Sequence, residues 1–245
     1  MKGNQPQDFL LHNDLLKLCS ICGEEKKLTF EHMPPKKSGN DNPVNIVGLE
    51  NMTPLGGYMY QNKKKSPKGF GGYKLCKECN NLTGSYYAES YIDHSIELCN
   101  GINHNQTTSK FQVTCKLKPL NFVKQVLCIL VCSDQATGLL RDKINSKSFL
   151  LNKHEYQIPN DIFIRKQITT QPYYGFKGYT SEWDNINGFT QNILFVYRPF
   201  CFKVVFDEKQ VEKNSMDMNG FLKYKYDEEI EIKYDLQIPN REKRL

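Results

Sequence analysis

The sequence has no apolar run of about 18 residues or more, so we expect no transmembrane helix. Residues 1–8 lack the apolar core of a signal peptide, and the longest apolar run, residues 126–132, is too short and too far inside the chain to serve as one. These absences predict a cytoplasmic protein. Residues 106–245 also have no glycine-rich phosphate loop, no Ser-His-Asp set, no paired-carboxylate motif and no visible repeat, so their function is not stated by the sequence.

Acidic residues are scarce in one segment. Between residues 33 and 77 there are eight lysines and only two acidic residues, so this segment accounts for the net charge of +6. Two interpretations stay open: a polyanionic partner that docks here, or a solvated lysine-rich loop. With 245 residues, 39% hydrophobic and 24% charged, the chain is otherwise typical of a globular protein of one or two domains.

Nine cysteines are present, and four of them form two C-x-x-C pairs. In a reducing compartment such pairs are typical of a structural zinc site, because each short turn presents two thiolates to one ion. The predicted zinc ligands are Cys19, Cys22, Cys76 and Cys79. Another pair, Cys128 and Cys132, could suggest a second site, but their apolar surroundings favour buried packing on one helix face.

The order of local elements around the cysteines is informative. Residues 28–30 predict a short strand that delivers Glu31 and His32, and the prolines at 34 and 35 end it. The second cysteine pair opens a helix of about four turns, with Asn100-Gly101 as its stop. His94 falls on this helix without a partner and is interpreted as a surface or packing residue.

The second half has its own pattern. Residues 120–136 predict a strongly apolar helix, and several other stretches predict strands. These strands cover residues 111–117, 162–168, 192–197 and 202–206. The tail, residues 221–226 and 229–236, alternates charged and apolar residues and predicts an edge hairpin. The overall prediction is an α+β protein.

A strand ending in Glu-His, a loop, and Cys-x-x-Cys-Asn opening a helix is the order of parts in the HNH nucleases, also called ββα-metal or His-Me finger nucleases. The chain resembles their zinc-bearing, four-cysteine members from bacteria and phages over roughly residues 15–100. The resemblance implies a zinc-stabilised HNH domain at 1–105 and an α+β accessory domain at 106–245, which would serve substrate binding, partner binding or dimerisation. It also implies an endonuclease in which His32 is the general base and Glu31 and Asn80 bind Mg²⁺ or Mn²⁺.

Some features depart from the family. Adjacent strand residues point to opposite faces, so Glu31 and His32 need a distorted strand end or a division of roles. The family's steadying asparagine should fall near residues 71–74, where none is present; Asn51 and Asn62 are the upstream candidates. Asn80 also suits a helix N-cap, and Asn81 is the alternative ligand if the register shifts by one.

The resemblance implies nucleic acid as the partner, with DNA favoured over RNA by family association only, and no membrane is expected. A homodimer or a regulatory protein partner is a further alternative. Phosphate contacts are expected from lysines of the insertion: Lys36, Lys37, Lys63, Lys64 and Lys65. The competing hypothesis is a non-catalytic Cys₄ zinc module that binds nucleic acid or a protein. A third hypothesis, an effector of phage (antiviral) defence or of a mobile element, concerns context rather than chemistry.

Overall fold

The structure is a computed structural model that describes residues 16–46, 64–105, 107–134, 137–169, 176–184, 188–208 and 215–237. Its four α-helices in these ranges are α1 (Lys77–His104), α2 (Pro119–Ser133), α3 (Leu139–Lys143) and α4 (Ser146–Leu151). The strands of the first half are β1 (Lys17–Leu18), β2 (Glu25–Lys26), β3 (Leu28–His32), β4 (Val44–Ile46), β5 (Lys64–Ser66) and β6 (Gly71–Cys76). Those of the second half are β7 (Lys110–Leu117), β8 (Phe163–Ile168), β9 (Phe176–Asp184), β10 (Gly188–Tyr197), β11 (Phe200–Val205), β12 (Met216–Asp217) and β13 (Ile230–Gln237). The mixture of helices and strands confirms the α+β class.

The first half is built on two antiparallel strands followed at once by a helix. Strand β3 pairs with β6, and α1 begins at the residue after β6 ends. The pairing has a register shift between Thr29 and Phe30, so the strand is locally distorted. The predicted strand at 28–30 is confirmed and extends through Glu31 and His32.

Helix α1 is longer than the sequence predicts. It has 28 residues, and the expected stop at Asn100-Gly101 is wrong because the helix continues to His104. Gly101 is needed for packing rather than for termination. A Cβ atom at this position would lie 2.5 Å from Cγ1 of Val113 on β7, so only glycine allows this close approach of strand and helix.

The second half contains one large antiparallel sheet with the order β12-β8-β11-β10-β9 and a separate pair formed by β7 and β13. The predicted strands and the apolar helix at 120–136 are present with shifted ends. The predicted hairpin of the tail is wrong. Residues Asn219–Lys223 form a 3-10 helix, and β13 pairs instead with β7, which lies more than a hundred residues earlier in the chain.

Helix α2 lies at the centre of the molecule. Every residue from Pro119 to Cys132 is buried, including Cys128 and Cys132, which confirms the packing interpretation of these two cysteines. One continuous hydrophobic cluster includes α2 and residues from both sides of position 105. The predicted segments 1–105 and 106–245 therefore share a core. No helix in the described ranges is long and apolar enough to cross a membrane.

Candidate metal centre and adjoining cleft

The two C-x-x-C pairs come together at the junction of β1, β6 and α1. Their four Sγ atoms all lie within 4.8 Å of one another, and three of the four residues are buried. Ligands of a tetrahedral zinc ion with Zn–S bonds of about 2.3 Å are separated by about 3.8 Å, so the cluster has the size such an ion requires. The four cysteines could thus hold a metal ion such as zinc, and they are the only cluster of this kind among the described residues.

The local sequence explains how the first pair turns. Gly23 has a φ of +70°, a conformation that side chains disfavour, and its amide donates to the Cys19 carbonyl at 2.9 Å. The amide of Ser20 donates to the Lys74 carbonyl at 2.9 Å, which ties this turn to β6. The amide of Cys76 points at Sγ of Cys19, 3.4 Å away, as amides commonly do towards thiolates. Glycine after the second cysteine therefore permits the tight turn of the first pair.

Without a cation, three thiol groups of the cluster have very different pKa values. A hydrogen bond with Cys79 lowers the pKa of Cys19 to about 4, and the same bond raises the pKa of Cys79. Burial raises the pKa of Cys76 to about 11. Thiolates this close repel one another, so only a bound cation would let all four ionise together. The donor set and its electrostatics fit a thiophilic divalent ion.

The second half supports the cysteine cluster. Oγ of Ser146, at the start of α4, donates to the Ile21 carbonyl at 2.7 Å. Beside it, Lys147 forms a salt bridge with Glu24 at 2.6 Å, although both side chains are half-exposed and the pair contributes little stability. The turn that carries Cys19 and Cys22 is therefore bonded to β6 on one side and to α4 on the other.

Glu31 and Asn80 lie on the same side of β3, facing α1. Nδ2 of Asn80 donates to Oγ1 of Thr29 at 2.9 Å, and Thr29 in turn donates to the Leu75 carbonyl at 3.0 Å. A hydrogen bond with Asn80 also acts on the Glu31 carboxylate. An amide binds a cation through Oδ1, so this use of Nδ2 is compatible with a role of Asn80 as a metal ligand.

The environment of Glu31 is short of positive charge. Burial raises the pKa of its carboxyl group to about 7, opposed only by the bond with Asn80, and no ion pair with Glu31 occurs in the described part of the chain. The Glu31 charge also acts on Cys128 and Cys132, which places α2 beside it. An ionised Glu31 would therefore carry a charge that no described side chain balances.

His32 lies on the opposite face of β3 from Glu31, as adjacent strand residues do, and the strand is also distorted between Thr29 and Phe30. Its ring packs edge-on against Phe30, two residues earlier, with centroids 5.1 Å apart. Burial lowers its pKa below the usual 6.5, and the nearby Lys36 and Lys68 act in the same direction. The imidazole is therefore neutral at pH 7, as a general base must be.

A cleft of about 430 Å³ opens on the His32 side. Its walls are formed by Phe30, His32, Lys36, Asp41, Pro67 and Lys68. Nδ1 of His32 is buried, and a hydrogen bond with the Asn40 backbone also acts on the ring and opposes the lowering of its pKa. Nε2 is therefore the nitrogen that can meet a water in the cleft. Lys68, one of the eight lysines of the basic segment, lies next to His32 in the structure, which its sequence position does not indicate.

A buried asparagine, Asn40, fixes the loop behind His32, and sequence reasoning missed it. It is 1% exposed, its Nδ2 donates to the carbonyls of Pro34 and Phe70, and its Oδ1 accepts from the Phe70 amide, all at 2.7 Å. Gly69 makes this possible, because its φ is +82° and a Cβ there would lie 2.6 Å from the Asn40 carbonyl oxygen. The earlier candidates, Asn51 and Asn62, lie outside the described residues.

The predicted phosphate-binding lysines have different positions. Lys36 lines the cleft, whereas Lys37 and Lys65 are exposed and do not. Lys63 lies outside the described residues, and for Lys64 only the backbone, on β5, is described. Asn81 is exposed on α1, next to Asn80 but without the contacts with Thr29 and Glu31 that Asn80 makes.

Comparison with known proteins adds no assignment: no family model, no curated protein and no solved structure matches this chain. The functional interpretation therefore depends on the geometry of the residues themselves.

Proposed function

We propose that the protein is a metal-dependent endonuclease of the HNH type that hydrolyses phosphodiester bonds. The observation that carries this proposal is the arrangement around the end of β3. Glu31 lies with Asn80 on one face, and His32 lies on the other face beside a cleft with two lysines. A zinc knot alone has no need for this set of residues.

The roles follow from these positions. Glu31 and Asn80 would hold Mg²⁺ or Mn²⁺ at the end of β3, and a phosphate that lies across this strand end would have the metal on one side and His32 on the other. The ion would supply positive charge to the phosphate and its leaving oxygen. His32 would take the proton of the attacking water through Nε2. Lys36 and Lys68 would hold the phosphate by charge from the cleft walls. Zinc on the four cysteines would be structural, because a closed Cys₄ site keeps no open coordination position.

The direct test is cleavage of plasmid DNA, single-stranded DNA and RNA with added Mg²⁺ or Mn²⁺. His32→Ala should reduce the rate by about 10²- to 10⁴-fold, the usual effect of removing a general base. His154→Ala is the matched control, because that histidine is exposed and distant in sequence. Circular dichroism and thermal unfolding would establish that both variants are folded. Equal rates for wild type and His32→Ala would refute the proposed role.

One observation favours the competing hypothesis, a non-catalytic zinc module. Glu31 is enclosed next to α2, and such burial also suits a carboxyl group that is protonated and structural. The variant Glu31→Gln distinguishes a structural role of this carboxyl group from a role as a metal ligand. If the Glu31 carboxyl group is structural, Glu31→Gln should change the stability of the protein little. If it is a metal ligand, the variant should lose Mg²⁺-dependent cleavage and recover part of it at high Mn²⁺ concentration.

A further inference from the structure

An aromatic ladder runs along the cleft side of the β3–β6 pair. Phe30 is directly opposite Tyr73 in the register, and their rings meet edge to face with centroids 5.6 Å apart. Phe30 also contacts His32 in the same way. Tyr73 is 39% exposed, which places it among the few large apolar side chains of the described residues that face solvent. An aromatic surface therefore continues outward from the candidate base.

Positive charge lies over this ladder. Nζ of Lys68 is 5.4 Å from the Phe30 ring centroid and 6.0 Å from that of Tyr73. Lys36 is on another wall of the same cleft, and Asp41 is the acidic group beside them. Two lysines outweigh one aspartate, so the cleft keeps a net positive charge next to exposed aromatic rings. Anions with a flat apolar part are the ligands that such a surface would bind.

A nucleotide has both parts, a phosphate for the lysines and a base for the rings. Proteins that bind single strands combine these same two features, because every base has a face that can stack on an aromatic side chain. In a duplex the two faces of each base are already covered by its neighbours. The rings next to His32 are therefore useful only if the base at that position is unpaired or unstacked.

We propose, on the basis of the nuclease function inferred above, that the cleft binds an unpaired nucleotide, with its phosphate between Lys36 and Lys68 and its base against Tyr73. The preferred substrate class is thus single-stranded nucleic acid, or a locally unpaired segment of a duplex. A phosphate held by the two lysines lies beside His32, while the base on the outer ring fixes the direction in which the strand leaves the cleft.

Binding can be measured without catalysis, in buffer that lacks added Mg²⁺ and Mn²⁺. Fluorescence anisotropy would compare three labelled 10-mers: a single strand, the same sequence as a duplex, and a single strand of abasic sugar-phosphate units. The wild type should bind the intact single strand about 10-fold more tightly than either of the others, an effect within the range of base–aromatic stacking. Equal affinity for all three would overturn the proposal without any mutation.

Variants of Tyr73 then locate the effect. Tyr73→Ile keeps a strand-forming residue but removes the ring, and it should lose the preference for intact over abasic strands. Tyr73→Phe should retain the preference, and Tyr156→Ala, which removes an exposed tyrosine elsewhere, should not change it. A Tyr73→Ile protein that still prefers intact strands would place base binding outside the cleft and refute the assignment.

The two proposals fail in different ways. If base-dependent binding through Tyr73 is found but no substrate is cut with any metal, the nuclease function is wrong and the nucleotide cleft stands. If the wild type cuts and binds duplexes as well as single strands, the nuclease function stands and the unpaired-nucleotide cleft is wrong.

Discussion

Two groups of partly or fully buried polar side chains can be compared in this protein. The first surrounds the end of β3 and consists of Glu31, Asn40 and Asn80. The second is formed by His94 on α1, Lys166 on β8 and Tyr234 on β13. In the second group the Tyr234 hydroxyl is 2.8 Å from Nε2 of His94 and accepts from Nζ of Lys166 at 2.7 Å.

Both groups have strongly shifted pKa values, so the shifts alone do not distinguish them. Burial raises the pKa of Glu31 to about 7, and burial lowers the pKa of Lys166 to about 7 and that of His94 to about 3. What differs is access. His94 and Lys166 are 0% and 2% exposed and enclosed by aromatic rings. Glu31 and Asn80 are only partly buried, and the neighbouring His32 lines a cleft on the other face of β3. Perturbed groups indicate a site only where a ligand can reach them.

The largest effect is expected from the cysteine cluster on which the first group is built. Cys79→Ser should abolish stoichiometric zinc and destabilise the protein by more than about 5 kcal/mol, because structural zinc typically contributes about 10–16 kcal/mol. Metal analysis and thermal unfolding would measure both effects. Cys115→Ser is the matched control, since both cysteines are 2% exposed but only Cys79 belongs to the cluster. Similar losses in the two variants would mean that the cluster holds no structural metal.

A smaller loss should follow from Asn40→Ala. The change removes the hydrogen bonds that Asn40 makes with the Pro34 carbonyl and with the amide and carbonyl of Phe70, although that carbonyl still accepts from the Met33 amide. Loss of a buried hydrogen-bond partner costs about 1–3 kcal/mol. We expect a total of about 3–5 kcal/mol from chemical denaturation, together with lower cleavage activity because the loop behind His32 is released. Asn42→Ala changes an exposed asparagine whose side chain donates to its neighbour Asp41, and it should alter stability by less than about 0.5 kcal/mol. A silent Asn40→Ala would show that the loop does not depend on this side chain.

The second group should respond in the opposite direction. Lys166→Met removes a buried amine that has a single hydrogen-bond partner of its own among the described residues, and it should stabilise the protein at pH 7 by about 1–2 kcal/mol without changing cleavage. The control is Lys233→Met, on the exposed face of β13 next to Tyr234. Destabilisation by Lys166→Met, or loss of cleavage, would remove the distinction between the two groups.

The pH dependence of this variant has a definite sign. The pKa of Lys166 is about 7 in the folded protein and close to the ordinary 10.5 when unfolded, so the unfolded chain binds more protons between these values. Wild-type stability should therefore rise relative to Lys166→Met as the pH increases from 7 towards 10. The residues facing the amine, His94, Tyr234 and Cys115, are present in both proteins, and the difference isolates Lys166. A constant difference across this range would mean that the amine does not titrate there.

The cysteine cluster and the β3–α1 order could be predicted from the sequence because they depend on short spacings. Cys-x-x-Cys pairs, a glycine after the second cysteine and prolines after a strand act locally, and each has one physical reading. The opposite faces of Glu31 and His32 follow equally from strand geometry. Such local features do not depend on how the rest of the chain folds.

Features that depend on distant contacts could not be predicted. Asn40 stands in a run of glycine, asparagine and aspartate that is typical of any turn, and its role becomes visible only when Phe70, thirty residues later, is beside it. Gly101 has the appearance of a helix stop because its close contact with Val113 is not encoded nearby. The enclosure of Glu31 by α2 likewise joins residues about a hundred positions apart.

Helix α1 has a practical consequence for anyone who wishes to isolate the first half. With 28 residues it is about 42 Å long, and its first turn carries the metal-cluster residue Cys79. Further along, the Tyr91 ring stacks on Phe122 of α2, and Tyr87 donates to the Leu150 carbonyl at 2.9 Å. A fragment truncated after residue 105 would expose this aromatic face of α1 to water and would aggregate. It would also lack the second-half residues that pack against α1 and support the cysteine cluster. Assays of this protein need the whole chain.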